Sequence, residues 1–141
     1  MSQAFPVSPR PDEKPGPVMA ITIMTLVSGI TNILTALVWT GLIVVGTLGI
    51  GLLCAPITIL PAVLGVFEII YAAKLLANPP TPVKPSQALA ILEICAILFA
   101  NVISLVTGIL ARVFYNDPKV QEYFARLNAQ QPPAAQQPPL A

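Results

Sequence analysis

The chain has 141 residues, of which 55% are hydrophobic, 6% aromatic and only 9% charged, with a net charge of +1. Its mean hydropathy is +0.79. A soluble domain carries roughly 25% charged residues, so this composition excludes a water-coated globule. It excludes a nucleic-acid binder too, which needs a basic excess. No charge occurs between Lys14 and Glu68, or between Glu93 and Arg112, which points to an integral membrane protein.

Missing residue types narrow the chemistry. There is no histidine, so the commonest general base and metal ligand is lacking, as are the nucleophile pairs that depend on it. Cys54 and Cys95 stand alone in apolar runs, with no CxxC and no second pair for a zinc site. They are expected to be buried small apolar residues. No cofactor, metal site or catalytic residue is expected, and the chain is read as a non-enzyme.

The first 17 residues hold five prolines and four charges, unlike a secretory leader, and residues 1–17 are expected to be a proline-rich disordered tail. Residues 18–115 form the helical membrane region. A spanning helix needs ~20 apolar residues, and the apolar stretch 18–78 divides best at Gly46-Thr-Leu-Gly49-Ile-Gly51, where glycines supply positive φ. This predicts spans near 18–45 and 52–78. A third span is predicted at 86–114, capped by Ser86 and ended by Tyr115-Asn116-Asp117-Pro118. The alternative is four spans, with turns at Thr40-Gly41 and at Pro56–Pro61. Trp39 supports it, because tryptophan favours the membrane interface. The positive-inside rule also leans that way: in the three-span order Arg10, Lys14, Lys74 and Lys84 face Arg112, Lys119 and Arg126 across the membrane.

Three charged residues fall within the predicted spans. Counting ~1.5 Å per helical residue, Glu68, Lys74 and Glu93 lie roughly 15, 6 and 10 Å below the surface that carries the proline loop. Lys74 is expected to pair with Glu93, while the deeper Glu68 is carried protonated. On the first helix Thr25, Ser28, Asn32 and Thr35 share one face at a matching depth. Together these make an intramembrane polar network of Glu68, Lys74, Glu93, Thr25, Ser28 and Asn32. Ala96, Ala100, Ser104 and Gly108 recur every four residues, a ladder for close helix packing. In the second helix Gly65, Glu68 and Ala72 share a face.

Asp117-Pro118 is a good helix start. Over 117–128, Val120, Tyr123, Phe124 and Leu127 form one apolar face, expected to lie at the membrane interface or on the end of the bundle. Residues 129–141 are a Pro/Gln/Ala-rich tail expected to be disordered. The expected architecture is an all-α, multi-pass protein of a plasma or inner membrane. Its partners are the lipid bilayer and further copies of itself or other membrane subunits. The expected role is a structural or accessory subunit. Alternatives are a small oligomeric channel or ion-coupled transporter using Glu68 and Glu93, and a membrane-shaping protein acting through the amphipathic helix.

Overall fold

A computed structural model describes residues 14–129; of the expected disordered tails, 1–13 and 130–141 lie outside the described residues, while Gly16, Pro17 and Ala129 belong to helices. The regular structure is all helical, with no strand among the described residues, and a non-helical proline loop spans 77–86. Helix α1 runs Gly16–Gly46, α2 Ala55–Thr58, α3 Leu60–Leu76, α4 Gln87–Cys95, α5 Val102–Tyr115 and α6 Pro118–Ala129.

Two helical stretches are long and apolar enough to cross a membrane: α1, and the run Ile50–Leu76 that joins a short 3-10 turn to α2 and α3. The chain reverses between them at Thr47–Gly49, as the glycines predict. Gly49 adopts φ 93° and Leu48 φ 53°, and the Thr47 hydroxyl donates to the Ile43 carbonyl while accepting from the Gly51 amide. The turns of the four-span alternative do not form. Helix α1 continues through Thr40-Gly41. Pro56 and Pro61 sit in the first turns of α2 and α3, where a missing N–H leaves no gap in the hydrogen bonding. The hydroxyls of Thr40 and Thr58 meet at 2.8 Å and tie α1 to α2.

The predicted third span at 86–114 is instead two helices folded back on each other. The first, α4, begins under the Ser86 cap, whose hydroxyl accepts from the Leu89 amide, and tightens into a 3-10 turn at Ala96–Phe99. Ala100 then takes a left-handed φ of 58°, and Asn101 caps α5 by accepting the Ser104 amide at 3.1 Å. A left-handed residue followed by an asparagine cap stops one helix and starts another, so the apolar run reverses midway. The two arms then close tightly: a Cβ on Gly108 would stand 2.6 Å from the Ala90 carbonyl oxygen and 2.8 Å from the Cβ of Glu93. The Ala96–Ala100–Ser104–Gly108 ladder is therefore divided. Ala96 and Ala100 belong to the tip, and Ser104 and Gly108 lie on α5. Cys54 and Cys95, expected to be buried, are both exposed, because each falls on the outward side of its helical turn.

Because the hairpin returns, both described ends of the chain lie at one end of the bundle. Lys14 Nζ donates to the Ala77 carbonyl, Arg112 to the Gln87 side chain and Asn128 to the Val83 carbonyl. Three spans would have put the ends on opposite sides. The main apolar core gathers at this end, where Val18 and Ile21 of α1, Leu75 of α3, Ala90 of α4 and Ala111 of α5 meet α6. Val120, Tyr123, Phe124 and Leu127 are all buried in that core, with Phe124 edge-on to both Tyr115 and Tyr123. This face is covered by the end of the bundle itself, the second of the two placements expected. Asp117 caps the helix through the Lys119 amide at 2.8 Å.

Candidate functional site

A buried polar network lies deeper than that core and joins four helices. Its centre is Glu68 on α3, fully buried. Asn32 of α1 reaches it because α1 and α3 cross almost backbone to backbone: a Cβ on Gly29 would stand 2.8 Å from the Gly65 carbonyl oxygen. Asn32 Nδ2 donates to both Glu68 oxygens at 3.0 Å. Its own Oδ1 accepts from Asn101 Nδ2 at 2.7 Å. A second line runs through the hydroxyls of Ser28 and Ser104, 2.8 Å apart, with Ser28 also within reach of the Glu68 carboxyl. A hydroxyl has one proton to give. If Ser28 donates to Glu68, Ser104 is the donor to Ser28.

Both lines thus begin on α5, pass through α1 and end on Glu68. Glu93 of α4 approaches the same carboxyl from a third side. Its side chain is 1% exposed, lies within hydrogen-bonding reach of Glu68, and leaves its Oε1 with no other partner. The hairpin tip marks the depth of the site, since Asn101 meets Asn32 midway along α1.

Of the network expected from sequence, Glu68, Glu93, Ser28 and Asn32 come together, and Thr25 is buried one turn away on the same face of α1. Thr35, the fourth member of that face, is only half-buried. Lys74 does not join. It sits exposed in the last turn of α3 and makes no ion pair with Glu93, whose carboxyl instead meets that of Glu68. The cause is rotational. Glu68, Tyr71, Ala72 and Leu75 hold the inner face of α3, and Lys74 falls outside that stripe.

Sequence reasoning missed Asn101, although an asparagine inside an apolar run is itself a helix-cap signal. It also missed a second polar cluster nearer the core, where Tyr115 donates to the Tyr71 hydroxyl and Tyr71 donates to the Lys84 carbonyl, each at 3.2 Å. That cluster fastens the proline loop to α3 and α5. Ser104 and Gly108, expected to meet another helix, do so within the chain: Ser104 meets α1 and Gly108 meets α4. No protein-family model matches the chain, and comparison with curated proteins and with solved structures finds no match.

Proposed function

We propose that this is a non-enzymatic integral membrane protein of a plasma or inner membrane. In this reading α1 and Ile50–Leu76 cross the bilayer, and the α4–α5 hairpin enters from one face and turns back at mid-depth. The carrying observation is an inverted distribution of polarity. Leu37, Leu42, Val45 and Leu53 are 62–84% exposed, whereas Ser28, Asn32, Glu68 and Ser104 are wholly buried. An apolar surface of this extent is unstable in water, while buried polar groups suit a bundle with lipid outside.

Within that setting the chain acts as a structural or accessory subunit. The polar groups of the site are directed at one another across four helices, which is how side chains glue a membrane bundle. Beyond Asn32, α1 and its partner stretch have only each other, leaving long apolar flanks for lipid, a second copy or another membrane subunit. Mass measurement in native nanodiscs tests this directly. The expected result is a discrete oligomer or a defined complex, and a lone 14.9 kDa chain would overturn it.

One observation favours a second reading, a small channel or ion-coupled transporter: two carboxyls from different helices meet at membrane depth, as in many proton relays. Proton or cation flux in proteoliposomes that disappears with Glu68→Gln would establish it. The membrane-shaping alternative is set aside, because the apolar face of α6 is taken up by the bundle and supplies no wedge.

A further inference from the structure

We propose that Glu68 and Glu93 form a binding site for one proton, and that this proton fastens the α4–α5 hairpin to the two long helices. The proposal holds whether the chain works alone or as a subunit, because it rests on the contact between the carboxyls.

An ionised carboxylate only accepts hydrogen bonds. Two ionised carboxylates in contact would therefore be a repulsive pair buried with no cation, and removing such groups from water is costly. The neighbours offer no countercharge among the described residues. Helix α1 presents Thr25, Ser28 and Asn32, and α5 presents Ser104 and Thr107. The nearby titratable groups are Tyr71 on α3 and Tyr115 on α5. Lys74 is exposed, Lys14 is held at the Ala77 carbonyl and Arg112 at Gln87. With a proton between them the same two groups make a charge-assisted hydrogen bond, a strong class of contact.

The donor count fixes both the number of protons and their place. Glu68 already receives Asn32 on both oxygens and has the Ser28 hydroxyl within reach, so, against the expectation from its depth, it is furnished as the ionised partner. A proton on Glu68 would face the Asn32 amide nitrogen, which only donates, and would have to reverse the Ser28 hydroxyl from donor to acceptor. Glu93 has no donor directed at it, and its Oε1 is unpartnered, so Glu93 carries the proton and donates it to Glu68. Hydronium delivers it: a carboxylate and H3O+ become a carboxylic acid and water. The filled site then has three donors converging on one carboxylate, from α1 twice and from α4 once. Releasing the proton turns the α4–α3 contact from attraction to repulsion, which loosens the hairpin.

Infrared spectroscopy of the full chain in nanodiscs at neutral pH tests this through the C=O stretch of a protonated carboxylic acid. The wild type is expected to show one carboxylic acid per chain. Glu93→Gln should abolish the band while leaving the hairpin docked, since its amide donates in place of the proton. Glu68→Gln should keep the band but shift it, because Glu93 loses its acceptor. No carboxylic band in the wild type, an intensity of two per chain, or a band surviving in Glu93→Gln would each overturn the proposal. As a reading of the fastening itself, a cysteine replacing Ser104, in a chain with Cys54→Ala and Cys95→Ala because both native thiols are exposed, should become accessible to a thiol reagent as pH rises, and stay protected when Glu93→Gln is added. Equal pH dependence in both backgrounds would also overturn it.

Discussion

The Gly65 carbonyl oxygen lies 2.8 Å from where a Cβ on Gly29 would stand, and the reciprocal contact from Gly65 onto the Gly29 carbonyl is closer still. Helices α1 and α3 therefore meet along their backbones, and this approach lets the short Asn32 side chain span the gap to Glu68. Overpacking a tight contact costs ~1–3 kcal/mol, and here the obstruction is backbone that has no rotamer to change. Gly29→Val should lower bundle stability by at least ~2 kcal/mol in a reversible denaturation assay. A stability equal to that of the wild type would show that the crossing is looser than this.

Asn101 has two duties, capping α5 and donating to Asn32. Loss of a cap costs ~0.5–2 kcal/mol, and leaving a buried acceptor unmet adds ~1–3 kcal/mol. Asn101→Ala should thus destabilise by ~2–4 kcal/mol, and Asn101→Asp should recover only the cap. Hydrogen exchange at Ser104 and its neighbours would separate the two effects.

Lys74 and Glu93 should behave independently. Thermal stability of Lys74→Met, Glu93→Gln and the double variant is expected to be additive within ~0.5 kcal/mol, as for residues that share no partner. A coupling of several kcal/mol would restore the ion pair that the sequence suggests.

Tyr123 buries a hydroxyl with no hydrogen-bond partner, and burial pushes its ionisation above the usual tyrosine range. Tyr123→Phe should therefore be neutral or stabilising by up to ~1 kcal/mol. The unfolded phenol loses its proton near pH 10, before the folded one does. The folded state then binds more protons, so stability falls as pH rises above about 10. Tyr123→Phe should make that alkaline decline shallower, which chemical denaturation at alkaline pH would measure.

Single cysteines replacing Gly16 and Ala129 should react with an impermeant thiol reagent from the same membrane face. Labelling from opposite faces would be incompatible with a returning hairpin.

Much of this architecture is written in local signals. The glycines at 46–51 demand a turn, Ser86 and Asp117 announce helix starts, and the Thr25–Ser28–Asn32 spacing marks an inward face. The reversal at Ala100 was hidden for a physical reason. Apolarity and length make 86–114 read as one span, and the break depends on one left-handed alanine and one asparagine cap that only a facing Asn32 makes worthwhile. The Glu68–Glu93 contact was hidden for the same reason: depth can be counted along a helix, but rotation about its axis is set by packing. Without the hairpin, Lys74 looks like the natural partner for a buried acid.

The hairpin also decides how charge is distributed along the molecule. By returning, it brings Arg112, Lys119 and Arg126 to the end that already carries Lys14, Lys74 and Lys84, so all six cations of the described chain gather at one end. The opposite end offers the Thr47–Gly49 turn, which has no charge. If the proposed spans cross a bilayer, the positive-inside rule favours the end that carries α6 and the proline loop as the cytoplasmic one.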